Sequence, residues 1–205
     1  MKGVHLLIVM GMLLMVGCAT DPAAKLAQQQ IRTVGFEQRV EAPAMRAGEK
    51  QNYGLQAALT SSIVDSIYSG KIKRMAAVMQ EKQIHVPAMV RTNFLQAARE
   101  LGYELAEGNA DATFVVQLEQ FGFDERSPFS SVMVPFAVLN AELVKADGTV
   151  IWEGKSDGRK VNDPAVIGAK EWDEYESDPE RLRQDWNVVV RNAVGNMLRA
   201  AKPKA

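Results

Sequence analysis

The sequence predicts an α/β fold: a mixed, mostly antiparallel sheet packed against two or three helices. Three observations predict it. The apolar run from Phe136 to Trp152 is broken by Asp147-Gly148, a dipeptide that suits a tight β-hairpin turn. Apolar stripes at helical spacing lie before and after that hairpin. The stretch between the first strand and the second is long enough to hold a helical crossover.

Taken in order, Ile31 to Phe36 reads as a short first strand, and Glu41 to Lys50 as a loop with Pro43 and Gly48. From Asn52 to Tyr68, Leu55, Leu59, Ile63 and Ile67 recur every four residues and predict a helix, with Gly70 as its stop. Residues 71–87 read equally as strand or short helix. Pro87 bars a continuing ladder and suits the first turn of the next helix. Val90, Phe94, Ala97, Ala98 and Leu101 line one face of that helix, which Gly102 ends. Ala110 to Phe121 is a strand with Phe114, Val116 and Leu118 on one face and Gln117 and Glu119 on the other. Residues 122–132 are rich in turn formers and read as a loop. Pro135 to Lys145 is a second strand, and Val150 to Gly154 returns beside it carrying Trp152. Glu171, Asp173, Glu174, Glu176, Asp178 and Glu180 make a solvated loop or a helix with an acidic face. Asp178 and Pro179 then start a helix, as cap and first residue. Leu182, Trp186, Val189, Val190, Ala193 and Met197 form its apolar stripe.

The chain has 205 residues, 47% hydrophobic and 24% charged, with 24 basic and 25 acidic side chains. That length predicts one domain with extensions. The net charge of -1 excludes a globally basic nucleic-acid binder. Lys2 is followed by an apolar run from Val4 to Val16, too short for the ~20 residues of a membrane span and suited to a cleaved signal peptide. The run ends in Val16, Gly17 and Cys18, the only cysteine of the chain. This segment resembles the lipobox of bacterial lipoproteins, although Met15 stands where Leu is usual. The resemblance implies cleavage before Cys18, a diacylglycerol on its thiol and an acylated new amine, palmitate among the chains. Several acyl chains hold a protein firmly where one does not. The family's sorting rule, with Ala19 rather than Asp after the cysteine, implies the periplasmic face of the outer membrane. The expected organisation is a signal peptide (1–17), a lipidated tether (18–29), a single α/β domain (30–200) and a frayed tail (201–205).

Little catalytic chemistry is on offer. Removing the signal takes His5 and leaves His85 as the lone imidazole, beside a proline. No GxSxG elbow, GxGxxG or P-loop occurs. Zinc needs three or four Cys, His or carboxylate ligands, so no metal site is expected. Lys71, Lys73 and Arg74 form the best basic patch and read as a solvated helix end. Asp124 and Glu125 adjoin in a loop and would matter to hydrolysis only beside His85. The more informative group is aromatic. Phe121, Phe123 and Phe129, with Arg126 among them and Phe136 following, surround the turn-rich segment. Rings and arginine make efficient interface anchors, so these five residues are the candidate partner-binding surface.

The element order over residues 30–200 resembles that of small envelope-assembly lipoproteins, curli-type secretion lipoproteins and TolB amino-terminal-like modules. The resemblance implies a non-catalytic binding or assembly module of the cell envelope. The expected contacts are membrane lipid through Cys18 and an envelope protein, with no nucleic acid and no cofactor beyond the covalent lipid. A homo-oligomer stays open. The alternatives are a carrier or receptor for a small apolar ligand or lipid, which needs an apolar cavity between helices and sheet, and an envelope hydrolase, which needs His85, Asp124 and Glu125 in one cleft.

Overall fold

The computed structural model describes residues 31–39, 45–47, 70–125, 132–161, 167 and 170–199. Cys18 and its tether, the helix expected from Asn52 to Tyr68, Arg126, Phe129 and the tail lie outside the described residues. In chain order the elements are β1 (Thr33–Arg39), β2 (Arg46–Ala47), α1 (70–81), α2 (Val86–Glu100), β3 (Glu104–Leu105), β4 (Ala112–Glu125), β5 (Val132–Lys145), β6 (Val150–Asp157), α3 (Gly158–Val161), β7 (Lys170–Glu171), α4 (Trp172–Ser177) and α5 (Pro179–Leu198).

The described strands form one sheet in the order β3-β1-β4-β5-β6, with β2 beside β4 and β7 beside β5. β1 is parallel to β3 and β4, and β2 to β4, whereas β5 is antiparallel to β4, β6 and β7. The longest ladder, β4 with β5, is antiparallel, so the sheet is mixed and mostly antiparallel, the class the sequence predicts. The parallel contact of β1 with β4 is the helical crossover expected from the long gap between them.

Several boundaries differ from the sequence reading; among them, β2 lies within the expected 41–50 loop and β6 runs past Gly154 to Asp157. β1 begins at Thr33 and runs to Arg39. Gly70 lies within α1 rather than ending a helix, and the undecided stretch after it is helical, with Met75 and Met79 buried four residues apart. β4 runs on to Glu125 and β5 starts at Val132, so residues 122–125 and 132 of the expected loop are strand. The cause is a bulge between Leu118 and Gln120. One extra residue shifts the alternation, so that Phe121 and Phe123 follow Leu118 onto the same face. A strict period of two loses its phase there. Pro135 sits inside β5 at no cost to the ladder. The edge it could have blocked pairs with β7 only at Val132 and Met133 and with β6 only from Val138 onward.

The turn and caps follow sequence chemistry. Gly148 takes φ +84° between β5 and β6, a conformation that costs glycine little. The Asp147 carboxylate accepts the Thr149 backbone N–H at 2.9 Å, which holds its pKa below the usual carboxylate range. Pro87 lies in the first turn of α2, and the Asp178 carboxylate caps α5 by accepting the Arg181 backbone N–H at 3.0 Å.

The helices cover one face of the sheet. Phe36 meets Phe94 of α2 at 5.4 Å between ring centres, Phe94 meets Phe114 at 5.1 Å, and Phe114 meets Trp152 at 5.9 Å. Asn93 Nδ2 donates to Asn187 Oδ1 at 2.8 Å, joining α2 to α5. The Arg183 guanidinium donates to the carbonyls of Lys82 and Gln83, pinning the α1–α2 joint to α5. The opposite face carries ion pairs over its middle, where Arg39 reaches Glu142 at 4.0 Å and Lys155 reaches Glu119 at 2.7 Å.

Register also fixes the two ends. Val34 lies opposite Ala112, and Ala112 opposite Lys145. The start of β1 therefore shares one end of the sheet with the Asp147-Gly148 turn. Asp111 secures the chain there, its carboxylate accepting the backbone N–H groups of Arg32 at 3.0 Å and Thr33 at 2.8 Å. Those bonds hold the Asp111 pKa down. The end of β4 and the start of β5 lie at the opposite end.

Candidate functional site

Of the five expected surface residues, Phe123 and Phe136 are buried, Phe121 is half-buried, and Arg126 and Phe129 lie outside the described residues. Phe123 is fully buried, with ring centres 5.2 Å from Trp172, 5.9 Å from Tyr175 and 5.6 Å from Trp186. Phe121 is half-buried and meets Trp186 at 5.9 Å. Phe136 is buried on the other face, under the Arg159 guanidinium at 5.2 Å. Phe123 and Phe136 are therefore corrected from partner anchors to packing residues. Strand alternation shows which residues share a face, but not that a second layer covers it. Phe123 fastens α4 and α5 to the far half of the sheet.

The acidic segment resolves in the same way. α4 turns Trp172 and Tyr175 inward and leaves Asp173 and Glu174 exposed. Tyr175 reaches a buried polar cluster that the sequence reading missed. Its hydroxyl donates to Asp185 Oδ2 at 3.0 Å, while Arg181 Nε lies 3.2 Å from Asp185 Oδ1. Asp185 is only 3% exposed. Burial raises its pKa, against the partial opposition of Tyr175 and Arg181. Burial, and then the Asp185 charge, push the Tyr175 phenol far up as well. The sequence carried a signal for this cluster: Asp185 stands in the apolar stripe beside Trp186, with Arg181 four residues before it.

An open groove of about 430 Å³ lies over the cluster, lined by Lys170, Glu174, Tyr175, Ser177, Asp178 and Arg181. Its charges largely answer one another. Lys170 Nζ lies 3.5 Å from Glu174, and the Asp178 carboxylate caps α5. Both Asp185 oxygens are engaged, one by the phenol and one by the guanidinium. A carboxylate held between the phenol of one helix and the guanidinium of the next ties α4 to α5.

His85 is exposed ahead of α2 and makes no side-chain cap. Asp124 follows Phe123 in β4 and so points to the face away from the helices. The structure places the imidazole and this carboxylate in different layers. Among the described residues, the rings of Phe94, Phe114, Trp152 and Trp186 pack between helices and sheet, where a carrier would need a cavity. Among the described residues no group of three or more His, Cys, Asp or Glu could hold a metal ion, and no helix is long and apolar enough to cross a membrane.

No family model matches the sequence, and no curated protein matches it. Solved structures do. PelC from Paraburkholderia phytofirmans, a dodecamer, matches at 10% identity and a TM-score of 0.36, over 86% of this chain and 90% of that one. A DUF330 protein from Xanthomonas campestris matches at 11% identity and a TM-score of 0.43, over 84% and 85%. A minor lipoprotein from Acinetobacter baumannii matches at 9% identity and a TM-score of 0.35, over 85% and 96%.

Proposed function

We infer that the chain is an envelope lipoprotein, held at the periplasmic face of the outer membrane through acylated Cys18, that works by binding an envelope protein. The observation that carries the binding half of this reading is the disposition of the two ends of the sheet. The chain enters at Arg32 and Thr33, clamped by Asp111. The β4–β5 pair then runs 14 residues in each strand, about 45 Å, to the opposite end. An anchor at one end and a recognition point at the other suit a module that presents itself from a surface. The tether of about eleven residues after Cys18 adds up to ~36 Å of reach. Confinement to a membrane raises the effective concentration of such a module for a partner in the same envelope. The recognition role left to the aromatic segment falls on Arg126 and Phe129, which follow β4 in the sequence.

The test has two arms. Intact mass of the purified protein should show a chain starting at Cys18 and carrying acyl groups, and Cys18→Ala should move the protein out of the membrane fraction. Cross-linking in membranes should then recover a partner that Arg126→Glu with Phe129→Ala loses. An unmodified thiol, or a retained Met1, would sink the anchored reading. A partner that ignores the paired substitution would sink the far-end reading.

A further inference from the structure

β6 forms one edge of the sheet. It pairs with β5, and among the described residues no strand pairs with its other side. Such an edge offers backbone donors and acceptors to an incoming strand. The sequence of β6 is arranged about Gly154. Glu153 and Lys155 flank it, exposed on the polar face. Trp152 and Ser156 flank those and face the helices, 3% and 4% exposed. The Trp152 indole Nε1 and the Ser156 hydroxyl are both buried without a hydrogen-bond partner. Buried polar groups of this kind call for an explanation.

We propose that β6 pairs antiparallel with β6 of a second copy of this chain, about a two-fold axis through Gly154, joining two sheets edge to edge. Charge selects both the occupant and the register. With Gly154 on the axis, Glu153 of each copy stands opposite Lys155 of the other, giving two pairs of opposite sign. A slip of two residues either way sets Glu153 against Glu153 or Lys155 against Lys155. The same register sets Trp152 opposite the second copy's Ser156 twice. Gly154 is suited to the axis because the Trp152 ring lies over it: a Cβ there would come within 2.3 Å of that ring. Lys155 already reaches Glu119, yet its side chain is 61% exposed and its ammonium has three donors, so it can serve both carboxylates. The interface is isologous and closed. The pairing depends neither on Cys18 nor on attachment to a membrane.

Sedimentation of the full chain in detergent tests it. The wild type should be a dimer in the micromolar range. Glu153→Lys and Lys155→Glu each set like charges opposite at both positions and should weaken the dimer about tenfold or more. Mixed in equal amounts, the two variants should dimerise again, because each now supplies what the other lacks. Both side chains are exposed, so circular dichroism should show both variants folded. A wild-type monomer over that range would overturn the proposal. So would an assembly that the variants leave unchanged, or whose loss the mixture does not repair.

Discussion

On the face of the sheet that meets the helices, Phe114, Val116, Leu139 and Leu143 are at most 1% exposed. On the other face Val115, Gln117, Asn140 and Glu142, drawn from the same two strands, are only half-buried beside the Arg39–Glu142 and Lys155–Glu119 pairs. Over this half of the sheet, one step along a strand exchanges close-packed interior for half-exposed surface, whereas near Phe136 and Val138 both faces are buried. The cost of a substitution in this protein therefore depends on the side it faces more than on the element that carries it.

Substitutions graded across that divide should separate accordingly in urea unfolding. Trp186→Ala, on the helix side and touching both Phe121 and Phe123, should cost about 3–5 kcal/mol. Gly154→Ala should cost about 1–3 kcal/mol by overpacking, since its new Cβ would meet the Trp152 ring at 2.3 Å and Met197 at 2.9 Å. The loss should be partly relieved when Trp152→Phe is added, a coupling that independent sites would not show.

Asp185 gives a smaller effect with a definite sign. Its folded pKa is raised, so the native state holds a proton that the unfolded chain releases near pH 3.8. Stability should then fall as pH rises from about that value through the raised pKa. Asp185→Asn should flatten the slope, and its stability relative to wild type should climb over the same window and then level off. A parallel pair of curves would remove Asp185 as the cause. Asp111 and Asp147, whose pKa values are lowered by backbone N–H groups, act in the opposite sense, losing their contribution as pH falls. Last, Glu119→Gln on the face away from the helices should change stability by no more than about 1 kcal/mol, because the Lys155 ammonium it pairs with is 61% exposed. A loss of several kcal/mol there would mean that this face is not the solvated one.

The fold was legible wherever one periodicity held without interruption. Phe114, Val116 and Leu118 alternate as expected, every residue of the α5 stripe from Leu182 to Met197 is buried, and Pro87 and Asp178-Pro179 mark helix starts. It was illegible where a local irregularity broke the period. The bulge after Leu118 hid the last third of β4, and Gly70 passed for a stop because helix propensity does not register burial of Met75 and Met79 behind it. The aromatic site misled for a different reason. Phe123 and Phe136 carry the chemistry of interface anchors and of core packing alike, and only the placement of α4, α5 and Arg159 decides between them. The Tyr175–Asp185–Arg181 cluster needed the same knowledge, since Tyr175 belongs to another helix.

The position of β1 has a kinetic consequence. Thr33 and Asp111, 78 residues apart in the chain, are bonded to each other, whereas β4, β5 and β6 succeed one another through short connections. The three-stranded meander can zip early, while β1 must search for its seat after a long loop has closed. Refolding should thus be limited by arrival of the amino-terminal strand. A chain synthesised from that end holds β1 unpaired until almost the whole crossover has emerged, a window in which a bare strand is most exposed to aggregation.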